Sequence, residues 1–206
     1  MLKISLSVLA LIILVIGGAG MYHMHKVKAK SKAEMATYEK EVPVTADLGN
    51  VLVVYYSFSG HTKAIAEQIA KKTHADLFEI KTKVAYSSPS VYARSKKELS
   101  SKNYPEINSE DLPDVSKYDT VIIGAPVWWF TMAPALFKYL SLTDLSNRRV
   151  AAFSTQGSNV GSFFEDFAAM AKGAEILPSV NINNAEEAYP AQLSNKINTW
   201  LNKLTR

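Results

Sequence analysis

The chain of 206 residues contains no cysteine. That absence excludes thiol nucleophiles, Cys-ligated zinc, iron–sulfur clusters, disulfides and the acylated cysteine of a lipoprotein, and it leaves the redox compartment open. Glycine and proline are sparse, at 9 and 8 residues, so the chain is neither collagen-like nor of low complexity. The formal net charge is only +4, too mild for a nucleic-acid surface, which needs a concentrated basic face. Neither the Gly-x-x-x-x-Gly-Lys nor the Gly-x-Gly-x-x-Gly phosphate loop is present, which removes the two commonest nucleotide signatures. No metal site is expected either: His23 and His25 have no carboxylate partner beside them and are read as interfacial residues.

What is present divides the chain into three. From Ile4 to Met21 it is apolar apart from Ser5, Ser7 and the stretch Gly17-Gly18-Ala19-Gly20, with Lys3 ahead and Lys26, Lys28, Lys30 and Lys32 behind. The run is near the lower limit of a bilayer-spanning helix, roughly 17 to 25 residues. Residues 1–25 are therefore expected to form a single-pass anchor in the cell membrane, with a cleaved signal peptide and a buried hydrophobic helix as the alternatives. The lysines behind the run would keep the rest of the chain in the cytoplasm. The short Lys-bearing start is that of an export signal, and the balance leans slightly to the extracytoplasmic side. Residues 26–48 are polar, with Pro43 breaking any helix, and are expected to be a tether.

Residues 49–206 read as one α/β domain. Asn50 to Ser57 is a nearly unbroken β-branched and aromatic run, the pattern of a strand buried on both faces of a parallel sheet. Thr62 to Lys72 places Ala64, Ile65, Ile69 and Ala70 at helical spacing. Further strands are expected at Asp76–Lys81, Thr120–Gly124, Arg149–Ser154 and Glu175–Asn181, with helices near Ala133–Leu140, Gly161–Ala171 and Pro190–Leu204. Five strands alternating with helices predict a doubly wound parallel sheet in a three-layer sandwich. Residues 82–117 interrupt the alternation and are expected to combine a crossover helix around Val91–Leu99 with a lid.

In such a sheet, ligands bind beyond the carboxyl ends of the strands. Three loops lie there. Ser57-Phe58-Ser59-Gly60-His61-Thr62-Lys63 offers small hydroxyls and a glycine at a helix start, which suits an anion cradle or plain helix capping. Ala125-Pro126-Val127-Trp128-Trp129-Phe130-Thr131 sets aromatics at a strand end, either to stack on a planar ring or to pack the core. Ser154-Thr155-Gln156-Gly157-Ser158-Asn159 carries donors and a glycine suited to a polar ring edge, or is simply a polar loop.

Taken together, Tyr-Ser-Phe-Ser-Gly-His-Thr-Lys, Gly-Ala-Pro-Val-Trp-Trp and Ser-Thr-Gln-Gly-Ser in this order resemble the flavodoxin family over about residues 49 to 206. The resemblance implies a strand order of 2-1-3-4-5 and flavin mononucleotide (FMN) as cofactor. It implies that Ser57, Ser59, Gly60, His61 and Thr62 hold the phosphate. Pro126, Val127, Trp128 and Trp129 would line the isoalloxazine, and Thr155, Gln156 and Gly157 its pyrimidine side. The implied function is electron transfer to a redox partner protein or a membrane quinone. An FMN-dependent NAD(P)H:quinone-type oxidoreductase is the alternative, and an interaction module without cofactor the third reading. Tyr86, Tyr92 and Arg94 are placed to border an open flavin face or to be ordinary lid residues. Three departures stand out: the domain is slightly basic where the family's carriers are acidic, no glycine follows Trp129 where a flexible peptide would favour one-electron reduction, and the N-terminal apolar segment is foreign to the soluble carriers.

Overall fold

The computed structural model describes residues 6–205. Its centre is a parallel sheet. β1 (Val51–Tyr55) pairs with β2 (Asp76–Glu79) on one side and β3 (Thr120–Trp128) on the other. β3 pairs in parallel with β5 (Arg149–Gln156), and β5 carries both β6 (Glu175–Ile176) and β7 (Val180–Asn183) along its far edge. The short β4 (Thr131–Met132) folds back antiparallel on the end of β3. The order is thus 2-1-3 followed by the fourth and fifth parallel positions, as the resemblance implies.

The helices are α1 (Leu6–Met35), α2 (His61–Thr73), α3 (Val91–Ser101), α4 (Pro134–Leu142), α5 (Phe163–Met170) and α6 (Pro190–Leu201). The sheet separates two apolar clusters. One includes Leu52, Val54, Ile123 and Val121 with Leu136, Tyr139 and Phe167. The other includes Val51, Val53, Ile122 and Phe153 with Ile65, Ile69, Ile197 and Leu201. Strands whose side chains are buried on both faces lose every apolar atom to the core, which is why β1 and the first half of β3 read as unbroken hydrophobic runs.

Three expectations need correction. The strand expected at Glu175–Asn181 is two short strands, because Pro178 between them has no N–H to donate to a ladder. The loop expected from Ala125 is strand up to Trp128, then a two-residue hairpin into β4. Among the described residues no helix is long and apolar enough to cross a membrane. The single-pass span expected over 4–21 is therefore not supported. The helix that holds its described part is diluted by three glycines and turns polar from His23, and Ile4 and Ser5 lie outside the described residues.

The stretch expected to be a tether is held against the domain. α1 continues to Met35, which is 1% exposed in the second cluster, with Ser31 also buried. The chain then runs along α6, where two asparagines of the helix and its C-cap Asn202 act as clamps. Asn195 donates to the Tyr38 carbonyl at 2.9 Å, Asn198 to that of Val42 at 2.6 Å and Asn202 to that of Pro43 at 2.9 Å. The Asn202 side-chain carbonyl accepts from the Thr45 N–H at 2.8 Å.

Candidate functional site

The ends of β1, β3 and β5 open on a pocket of about 440 Å³, within the range of small-molecule sites. Each wall is one of the three loops. In the first, Gly60 stands as N-cap of α2 at φ 96°, a conformation glycine adopts without strain, and it has no side chain to cap the helix. Ser57 Oγ turns inward to accept from the Gly60 N–H at 3.2 Å. The first N–H groups of a helix lack acceptors within it, so the start of α2 presents donors and the positive end of its dipole to the pocket. Plain capping by Ser or Thr does not describe this loop. Ser59, His61 and Thr62 line the pocket, whereas Ser57 and Gly60 shape the loop from behind.

His61 is tied to a neighbouring element. Its Nδ1 meets Glu187 Oε1 at 2.5 Å, from the 3-10 turn Asn184–Ala188 that follows β7. Thr62 is buried, and its hydroxyl meets that of Thr155 at 2.8 Å.

The second wall is the end of β3. Trp128 is fixed by the edges of Tyr56, Phe58 and Tyr86, with ring centroids at 5.8, 5.8 and 5.1 Å. Its neighbours are held neutral: burial, then the hydrogen bond it donates to Glu98, pushes the Tyr86 phenol above its ordinary range, and burial does the same for Tyr56. Trp129 and Phe130 are the two central residues of the β3–β4 hairpin, at φ 53° and 64°. Such a turn normally takes Asn-Gly. Here it carries two exposed aromatics, and the strain is retained because neighbours hold the turn in place. Trp129 Nε1 donates to Ser95 Oγ at 3.0 Å and its ring takes the edge of Tyr92. The Phe130 carbonyl accepts from the Ser162 N–H at 2.8 Å. Gly161 approaches the same carbonyl so closely that an added Cβ would lie 2.0 Å from it.

The third wall is the end of β5: Thr155, Gln156 and Gly157 all line the pocket. A Cβ added at Gly157 would meet no atom within 4 Å. Gln156 Oε1 accepts from Asn183 Nδ2 at 3.3 Å. Asn184 closes this side, and its Oδ1 is buried with no hydrogen-bond partner among the described residues.

The structure thus gathers Ser59, His61, Thr62, Pro126, Val127, Trp128, Trp129, Thr155, Gln156 and Gly157 around one space. Tyr92 joins them from α3, but Arg94 does not. Its guanidinium is tied to Glu98 at 2.8 Å and to the Val84 and Ala85 carbonyls, above the Tyr86 ring. Asn184 was not foreseen. The signal for it was present, since Asn183 followed three residues later by Glu186 is a capping pair that starts a helical turn, here at the carboxyl end of the last strand.

The flavodoxin family profile matches residues 50–204. The chain belongs to the flavodoxin family. Among solved structures, a flavoprotein from Lactobacillus acidophilus in complex with FMN is 26% identical, with a TM-score of 0.58 over 68% of this chain and 96% of that one. A candidate flavoprotein from Bacteroides uniformis is 25% identical, with a TM-score of 0.65 over 76% of this chain and all of its own. A third, from Bacteroides eggerthii, shares the fold at 24% identity and a TM-score of 0.59, over 70% and 96% of the two chains. No curated protein matches the chain.

Proposed function

We propose that this flavodoxin-family domain binds FMN without a covalent link and carries electrons between redox partners. The observation that carries the reading is one pocket walled by three loops of different chemistry. The start of α2, whose first N–H groups lack helical acceptors, lies on one side, and the aromatic end of β3 and the polar end of β5 make up the rest. FMN meets all three, with a phosphate for the first, a planar ring for the second and a polar ring edge for the third. The lining supports the fit, because Trp128 is immobilised by three aromatic edges and Gly157 leaves room beside its backbone. The FMN complex of the Lactobacillus acidophilus relative supports the same cofactor. When bound, the flavin supplies the electron chemistry. The chain orients it, excludes water and sets the polarity around it.

The test is the visible absorption of the purified protein after incubation with FMN and removal of the excess. Retained flavin bands support the cofactor. A folded, colourless protein sinks it and leaves the interaction-module reading.

A second reading, an NAD(P)H-dependent oxidoreductase of the quinone-reductase type, is favoured by the exposed rim. Tyr92 and Phe130, 72% and 62% exposed, stand beside Trp129 where a second planar molecule would dock. NADPH oxidation by the FMN-loaded protein with a quinone acceptor would decide for it, and absence of turnover for the carrier.

The N-terminal turns of α1 support membrane attachment. Leu14, Val15, Ile16 and Met21 are exposed apolar side chains on one helix, followed by the lysines at 26, 28, 30 and 32. Deletion of residues 1–25 should release the protein from isolated membranes, and persistence in the membrane fraction would refute this role.

A further inference from the structure

Glu34, on the last turn of α1, heads a polar relay that ends in the pocket. Its Oε1 accepts from Lys196 Nζ at 2.7 Å. The same ammonium donates to Glu186 Oε1 and Oε2 at 3.0 and 2.8 Å. Lys196 and Glu186 are 4% and 1% exposed, so neither charge can fall back on water. Glu186 Oε1 accepts from the Asn183 N–H at 3.2 Å, and Asn183 Oδ1 accepts from the Ala185 N–H at 2.9 Å. This reciprocal pair shapes the turn Asn184–Ala188. Asn183, the N-cap of the turn, donates to Gln156 Oε1, Asn184 lines the pocket, and Glu187 meets His61 Nδ1.

We propose that Glu34 is a positioning residue for the ring-edge wall of the pocket, acting through Lys196, Glu186 and Asn183 on Gln156 and Asn184. The inference rests on the FMN reading above. The physical argument is one of few alternatives. A buried ammonium shared between two carboxylates shifts toward the one that remains when the other is neutralised, because it is held by its counter-charges. That shift moves the Glu186 carboxylate, and with it Asn183, the N-cap of the turn, whose N–H it accepts. The Glu34 side chain is 39% exposed, but the ammonium it meets is buried and so is the carboxylate beyond it. Whether the end of α1 is docked is thereby coupled to how the flavin edge is held, and the coupling must run in both directions.

The experiment uses the full-length protein, with Glu34→Gln and Lys196→Met as variants and Lys203→Gln as a control. Lys203 lines the same hollow between α1 and α6 but has no place in the relay. Dissociation constants for FMN and for riboflavin are read from flavin fluorescence quenching, with visible circular dichroism of the bound flavin as a signature of ring environment. Glu34→Gln should weaken both flavins by the same factor, about 3- to 10-fold on the scale of indirect couplings, and alter the dichroic band, while the control does neither. Riboflavin lacks the phosphate, so equal loss for both places the effect at the ring edge. Unchanged affinity for both, or a loss confined to FMN, overturns the proposal.

If the unmodified protein binds neither flavin, the cofactor reading fails, and the relay is judged on the free protein. The side-chain amide resonances of Gln156 and Asn183 should then shift in Glu34→Gln. If they stay in place, the relay is refuted.

Discussion

The hydroxyls of Thr62 and Thr155 meet 2.8 Å apart, buried where the start of α2 faces the end of β5. This bond joins the loop that offers donors to an anion with the loop that offers them to a ring edge. Thr155→Val keeps the shape and removes the partner, leaving the Thr62 hydroxyl buried and unpaired. The expected loss is about 1 to 3 kcal/mol, seen as a lower urea midpoint at unchanged slope. A loss below about 0.5 kcal/mol would show that the two loops are held together elsewhere.

Trp128 and Trp129 should answer substitution differently. Trp128 is wedged among three aromatic rings, so Trp128→Ala should destabilise the fold by about 3 kcal/mol before any effect on flavin is considered. Trp129 is 43% exposed, and Trp129→Ala should leave thermal stability nearly unchanged. It should still weaken FMN by about 1 to 3 kcal/mol if that ring stacks on the cofactor, on the scale of aromatic–base stacking. Paired melting and titration curves separate the two effects. If neither variant changes FMN affinity, the pocket has been assigned to the wrong ligand.

Phe130 offers the reverse trade. It sits at φ 64° with 62% of its surface exposed, so glycine would relieve left-handed strain and forfeit little burial. Set against the greater chain entropy of glycine in the unfolded state, the net gain for Phe130→Gly is about 0.5 to 1 kcal/mol. For a chain of this size, that is a rise of roughly 2 °C in melting temperature. Stability should rise while affinity for a second planar molecule at the rim falls.

Tyr139 sets a pH dependence. Burial pushes its phenol from 10.0 up to about 12, partly offset by the nearby Thr143 hydroxyl. The two hydroxyls do not reach hydrogen-bonding geometry, and both are buried without a partner among the described residues. A raised folded pKa means that the folded state holds the proton after the unfolded chain has released it. The contribution is therefore complete below about pH 10 and is lost as pH climbs through about 12, a span worth about 2 to 3 kcal/mol. Urea unfolding at pH 8, 10 and 11 should show this decline, flattened in Tyr139→Phe. The same variant should be up to about 1 kcal/mol more stable at pH 8, because an unsatisfied hydroxyl is gone. An unaltered alkaline slope would assign the decline to other groups.

Much of the fold was legible because buried parallel strands leave a one-dimensional trace. Val51–Tyr55 and Val121–Ile123 are hydrophobic at every position, so their burial on both faces could be read directly. The pocket followed from topology, because the switch point names its loops before any motif does. Contacts set by long sequence separation were not legible. Nothing local says that His61 will meet Glu187, 126 residues away, or that Lys196 will meet Glu34 across 162. The docking of residues 36–48 was missed for a related reason. That stretch is polar and looks solvated, and the groups that hold it are backbone carbonyls, which every sequence has, clamped by asparagines on a distant helix.

The continuity of α1 into that clamped segment changes the mechanics of the N-terminus. Thirty helical residues span about 45 Å at 1.5 Å per residue, and their last turn meets the turn Asn184–Ala188 at the edge of the sheet where the pocket opens. A disordered leash would leave the domain free to tumble relative to whatever holds its far end. A helix gripped at its base turns with the domain, so anything that engages the turns of α1 before His23 finds the rim of Tyr92, Trp129 and Phe130 at one distance and one heading.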